Sequence, residues 1–159
     1  KDVADVEPLS LHPRGMTALL DSIGRLVTET GQFLAAMPED QRPGLVIVGI
    51  MTDGLENSSK EWTHAGIKTL IETQEQTYKW VFHYLGANQD AIEVGAGLGV
   101  RADASLTYAP AAAGSAMEAY SASLSSLRGA VARGEDIESA RHGSAYTAAQ
   151  RRRATKREQ

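Results

Sequence analysis

A chain of 159 residues, 42% apolar and 23% charged, has the size and mixture of one folded domain with its own core. It has no cysteine, which excludes a disulfide scaffold and thiolate metal sites. The net charge of −4 is unevenly spread: residues 151–159 (RRRATKREQ) carry five basic groups and one acidic group, so residues 1–150 sum to −8, an acidic body that argues against nucleic-acid binding except through the tail.

Residues 1–14 are polar and restricted by Pro8 and Pro13. From Gly15, apolar residues recur at three- and four-residue steps (Leu19, Leu20, Ile23, Leu26, Val27, Leu34), which predicts an amphipathic helix ended by Pro38. LVIVGIM at 45–51 is short, continuous and β-branched, the pattern of a parallel strand covered on both faces. Ser58 and Glu61 form a capping-box pattern ahead of a helix burying Trp62, Ile67, Leu70 and Ile71. KWVFHYL at 79–85 is a second buried strand, followed by a short helix at 90–96 and a weaker strand at 104–108. A last helix presents Met117, Tyr120, Leu124, Leu127 and Val131 on one face. Periodicity fades from Gly134, so 1–133 reads as the domain and 134–159 as an extension, with a frayed helix at 135–150 and a flexible basic tail. This alternation of helix and strand implies an α/β fold with a mostly parallel, doubly wound sheet and helices on both faces.

In such a sheet the strand C-termini share one edge, and ligands bind there. Thr52 to Ser59 and Gly86 to Asp90 fall on that edge, as does the turn at Gly15 to Thr17 if a strand precedes it. Asp53 follows a rigid apolar run and is released by Gly54. It either accepts backbone N–H groups in the turn or offers its carboxylate to a ligand. Thr17 either caps its helix or offers a hydroxyl. Glu56 and Asn57 read as loop residues, and Asn57-Ser58-Ser59 also fits a glycosylation acceptor. The four histidines lack zinc spacing, and His83 reads as a core residue within a strand. There is no G-x-S-x-G turn and no phosphate loop, and Gly95, Gly97 and Gly99 follow a helix rather than a strand. No apolar run spans a bilayer, and KDVADVEPL lacks a signal core, so a cytoplasmic setting is expected. The start at Lys1 reads as a processed piece.

RGMTALLDSI at 14–23 resembles the second metal-site motif of von Willebrand factor A-type domains, a Gly-x-Thr-x-Leu turn opening a helix. VIVGIMTDGLEN at 46–57 resembles their third motif, a buried strand ending in Thr-Asp-Gly, and YLGANQD at 84–90 is similar to the phrase after the next strand in bacterial and phage members. The resemblance covers about residues 5–110. It implies a Rossmann-like fold and a metal-ion-dependent adhesion site in which Thr17 and Asp53 hold Mg²⁺ (or Mn²⁺ or Ca²⁺). Gly15, Gly54, Glu56, Asn57, Asn88, Gln89 and Asp90 would then surround a protein partner presenting a carboxylate.

The family's first motif, Asp-x-Ser-x-Ser after a central strand, does not occur in the chain. The resemblance places that strand beside residues 45–51, so another chain or an upstream segment is expected to complete the sheet there, and metal is expected to be weakly held or absent in this chain alone. The function expected is non-enzymatic, metal-assisted protein binding. Alternatives are an assembly subunit with a degenerate metal site and a Mg²⁺-dependent phosphate-handling enzyme using Asp53.

Overall fold

The two continuous apolar runs become neighbouring parallel strands, and everything else packs around them. The computed structural model describes residues 16–156. In chain order it contains α1 (Leu19–Ala35), β1 (Ile47–Thr52), α2 (His64–Tyr78), β2 (Val81–Ala87), α3 (Ala91–Gly97), β3 (Ser105–Tyr108), α4 (Ala113–Ala132), α5 (Ile137–Gly143) and α6 (Ala148–Thr155). The fold is mixed α/β, with a three-stranded sheet in the order β1-β2-β3. All pairings are parallel, with Ile47 opposite Val81 and Tyr84 opposite Ser105. Among the described residues no helix is long and apolar enough to cross a membrane.

Strand side chains alternate between faces, so each strand contributes to two cores. Val48, Ile50, Phe82 and Tyr84 meet Leu20, Ile23 and Val27 of α1, Ile67 and Ile71 of α2, and Leu98 after α3. On the other face Leu85, Ala87, Leu106 and Tyr108 meet Ala116 and Ala119 of α4, with Tyr146 and Ala154. Val81 packs with Leu127, Ala130 and Ala140. The central strand β2 is buried at all seven positions, as a parallel strand covered by helices should be. Gly24 lets α1 approach the Trp62 indole, which a methyl group at that position would strike.

β1 departs from the expected burial on both faces. Val48, Ile50 and Thr52 are buried, but Gly49 and Met51 are exposed. The cause is position: β1 is the sheet edge, and α4 touches it chiefly where Tyr120 lies over Gly49. No strand among the described residues pairs with its outer side. The expected capping box is also absent, because α2 starts later. Thr63 caps it, its hydroxyl accepting Gly66 N–H at 3.1 Å. Of the large residues expected on the buried face of α4, Leu127 is fully buried and Tyr120, Leu124 and Val131 are half-buried; Met117 is 39% exposed, and the rest of the buried stripe is Ala116, Ala119, Ser123 and Ala130. Small side chains let α4 sit close to the sheet and to α5 and α6.

The extension expected as a frayed helix and flexible tail is instead two docked helices, so a break at 133–134 falls inside one packed body. Asp136 caps α5, and a Thr147–Gln150 capping box opens α6. The buried Arg141 guanidinium donates to the Glu75 and Trp80 carbonyls at the end of α2. Arg151, expected in a mobile tail, donates to the Ser105 carbonyl at 2.7 Å and the Ala102 carbonyl at 2.9 Å. Ala109 N–H donates to the Ala154 carbonyl at 2.8 Å. These helices are sparse in large apolar residues, and their anchors are alanines, one tyrosine and guanidiniums aimed at free carbonyls. Residues 157–159 lie outside the described residues.

Tyr146 fills the space against His83, its hydroxyl 3.2 Å from Nδ1. Tyr146→Ala should cost about 3 kcal/mol in urea unfolding. A loss under about 1 kcal/mol would mean that the C-terminal helices do not cover the sheet.

His83 lies edge-on to the Tyr120 and Tyr146 rings, with centroids 5.4 and 5.7 Å away. Burial pushes its imidazole down to about 4, against the opposing charge of Asp103. The folded protein keeps the ring neutral, whereas the unfolded chain protonates it near 6.5. Its contribution is therefore present above pH 6.5 and lost as pH falls toward 4, by up to about 3 kcal/mol. His83→Phe should flatten the stability profile between those values. An unchanged slope in the variant would assign the acid sensitivity to other groups.

Candidate functional site

The three strands end on the same edge, at Thr52, Ala87 and Tyr108. The loop after β1, the loop after β2 and the start of α1 meet there. Thr52 is buried, and its hydroxyl accepts Gly54 N–H at 3.2 Å and donates to the Gly54 carbonyl at 2.7 Å. Thr52 thus performs the turn-closing role that sequence reading weighed for Asp53. Asp53 is exposed and accepts no hydrogen bond from the described residues. Thr17 is not a cap: Ala18 occupies that position without a side-chain bond. Its hydroxyl instead faces Gly54, where an added methyl would lie 3.1 Å from Oγ1. Thr17 and Asp53 line one concavity of about 510 Å³ with Met16, Met51 and Tyr108.

The first turn of α1 borrows its caps from the loop after β1. Thr17 N–H donates to Asn57 Oδ1 at 2.9 Å, Leu20 N–H to Glu56 Oε2 at 2.9 Å, and Asp21 N–H to Ser59 Oγ at 3.1 Å. The exchange is reciprocal. Asp21 accepts the N–H groups of Lys60, Glu61 and Trp62 at 2.8, 3.0 and 2.8 Å, and the Thr17 carbonyl accepts Asn57 N–H at 3.1 Å. Glu56 Oε1 also accepts Ser58 and Ser59 N–H at 2.8 and 2.7 Å. Partial burial opposes ionisation of Glu56. The bonds from Ser59, Leu20 and Ser58 outweigh it and hold the carboxyl down at about 2. The N–H of Lys60, helped by those of Trp62 and Glu61, lowers Asp21 below the usual range.

Glu56 and Asn57, expected around a partner, are therefore turned inward as helix caps. Asp90 is likewise committed: Oδ1 accepts Ile92 and Glu93 N–H, each at 3.0 Å, and caps α3. Asn88 is exposed, with φ of 54°, a left-handed conformation asparagine tolerates. Its N–H donates to the Tyr108 carbonyl at 3.1 Å, which ties the second loop to β3. Gln89 folds over Gly86, and its Oε1 accepts the Tyr84 hydroxyl at 3.2 Å. Gly54 lies in the loop after β1 beside Thr17, and Gly15 is outside the described residues. Three exposed apolar side chains stand on this edge: Met16 at 73%, Met51 at 46% and Leu55 at 61%.

No protein-family model matches the chain, and no curated protein or solved structure matches it. The site must be judged on its own groups. A hydroxyl and a carboxylate are donors of the kind a small hard cation prefers. Two protein oxygens are few for it, and the described residues contain no group of three or more His, Cys, Asp or Glu that could hold a metal. The donors fit in kind and fall short in number. Asp21 escaped sequence reading, although an acidic residue in a helix's first turn was a visible signal for N–H capture.

Glu56→Ala removes acceptors for three backbone N–H groups and one hydroxyl, and should cost about 2 kcal/mol at neutral pH. The contribution is present above pH 4.5 and lost as pH falls toward about 2, so wild type and variant should converge in acid. A constant difference down to pH 2 would show that the carboxylate is not the source.

Proposed function

We propose that this chain is part of a metal-assisted protein-binding module with a doubly wound sheet of the von Willebrand A type. The observation that carries the reading is selective: Glu56, Asn57 and Asp90 are spent on holding the loops, while Asp53 stays unbonded beside the Thr17 hydroxyl. Thr17 and Asp53 would hold Mg²⁺, Mn²⁺ or Ca²⁺, with water and a further segment supplying the other oxygens. Such a cation offers a partner's carboxylate an open coordination position. Around it Met16 and Met51 supply an apolar rim, and the exposed Asn88 on the neighbouring loop offers a polar contact.

The missing oxygens are proposed to arrive with another chain or an upstream segment that pairs along β1. Two features support this. The outer ladder edge of β1 has no strand partner among the described residues. Exposed apolar side chains also occur on the elements around that strand: Leu26 and Phe33 of α1, 52% and 67% exposed, Met51 of β1 itself and Met117 of α4. An apolar edge of this kind invites association. The alternative of an assembly subunit that uses no metal draws on the same shortage of ligands.

Titration with Mn²⁺, read by paramagnetic broadening of amide signals, separates these readings. Broadening should begin at Met16–Ala18 and Met51–Leu55, and Asp53→Ala should abolish that preference. Broadening that starts on the acidic surface of α1 or α2, or survives Asp53→Ala, would remove the metal from the account.

A further inference from the structure

Beside the Thr17–Asp53 concavity, the same edge carries a second cavity of about 310 Å³, between the loop after β1 and the start of α3. Leu19, Leu55, Val94 and Leu98 give it apolar walls. Its polar lining divides into His64 and Glu93, exposed at the rim, and Glu56, Tyr84 and Gln89, which are less exposed. The Glu56 carboxylate is saturated by α1 and its own loop. The Tyr84 hydroxyl donates to Gln89 Oε1, and burial pushes its own ionisation up to about 12, so it remains a donor. Among the groups away from the rim, one is left over. Gln89 Nε2 is buried and has no hydrogen-bond partner among the described residues. The amide is held in place by the Tyr84 hydroxyl at its oxygen and by its stem over Gly86, where an added methyl would come within 2.8 Å of Gln89 Cγ.

A buried amide donor without an acceptor costs free energy on the order of 1–3 kcal/mol, and an acceptor atom in the cavity would recover it. Two properties narrow what that ligand can be. Apolar walls call for an apolar substituent, and the cavity lies at the small end of the range for ligand pockets. Glu56 and the exposed Glu93 place two carboxylates at its boundary, which disfavours an anionic ligand. We propose that this cavity is an anchor pocket for a neutral carbonyl group carrying an aliphatic substituent, as in a peptide backbone amide beside a leucine-sized side chain. The carbonyl oxygen accepts Gln89 Nε2–H, and the aliphatic group fills the space between Leu55 and Leu98. As a statement about the partner it rests on the protein-binding reading above. The pocket itself needs no metal.

The test uses the whole chain and N-acetyl-leucine amide as the probe, with N-acetyl-leucine, its carboxylate analogue, as the comparison. Titration is followed by NMR at the Gln89 side-chain NH₂ and the Leu55 and Leu98 methyl groups. The amide probe should shift these signals in a saturable way, and the carboxylate should bind at least about tenfold more weakly. Gln89→Leu should lose the amide's advantage while keeping the Tyr84 packing. Gln89→Glu replaces the donor with an acceptor and should also lose it, which guards against a general effect of added apolar bulk. Unchanged thermal transitions in both variants establish that the fold is kept. The probe should bind equally with Mg²⁺ present or absent and in Asp53→Ala, so failure of the metal reading leaves this result standing, and the reverse. No saturable shift, equal binding of both probes, or an undiminished preference in Gln89→Leu would overturn the proposal.

Discussion

The site depends on the mutual capping of α1 and the loop after β1. Each supplies what the other lacks. A helix start needs acceptors for its free N–H groups, and Asn57, Glu56 and Ser59 provide them. A long loop needs its own N–H groups satisfied, and the Asp21 carboxylate takes three in succession. Charged acceptors make these bonds stronger than neutral ones, and partial burial limits competition from water. The result is a loop pinned along most of its length, although loops are ordinarily the mobile parts of a fold. Asp53 gains a fixed position without contributing to the bonds that fix it, and Thr17 gives only its backbone to them, leaving its hydroxyl free of that role.

The same arrangement explains why so few polar groups on the binding edge remain available. Every N–H and carboxylate consumed in holding the frame is one that cannot meet a ligand. Thr52 completes this economy by closing the turn with its own hydroxyl. On the opposite flank the molecule is less complete. The sheet has a fully covered centre in β2 and an uncovered edge in β1, with exposed apolar side chains on the elements around that edge. Helices flank the sheet on both faces, but their coverage is centred on β2 and β3.

Strand positions were legible because buried parallel strands must be continuously apolar, and 45–51 and 79–85 have no competing interpretation. The exposure of Asp53 at the end of β1 was legible for the same reason, since a rigid strand followed by glycine must release its next side chain at the rim. The roles of Glu56 and Asn57 were not legible. Their partners lie about 36 to 40 positions away in sequence, and periodicity carries no information at that range. The start of α2 was placed too early because Ser58 and Glu61 have capping-box spacing, while Glu56 and Asp21 had already claimed those N–H groups. At the C-terminus a frayed helix was legible, but its division into two docked helices was hidden by composition. Alanine and arginine give a weak hydrophobic signal, yet Ala140 and Ala154 are almost fully buried, and Arg141 and Arg151 work by satisfying carbonyls rather than by apolar area.

The bond from Ala109 to Ala154 closes the sheet's second face with one of the last residues described. That has a consequence for biosynthesis. As the chain leaves the ribosome, α1, β1, α2 and β2 can assemble their shared core early, because its contacts come from the first hundred or so residues. The face formed by Leu85, Ala87, Leu106 and Tyr108 is covered in part by α4, and its cover is not complete until α6 has emerged. A nascent chain halted between β3 and α6 would present that apolar face to its surroundings, the kind of surface on which chaperones act. The late helices thus set the moment at which that face is withdrawn from such a client relationship.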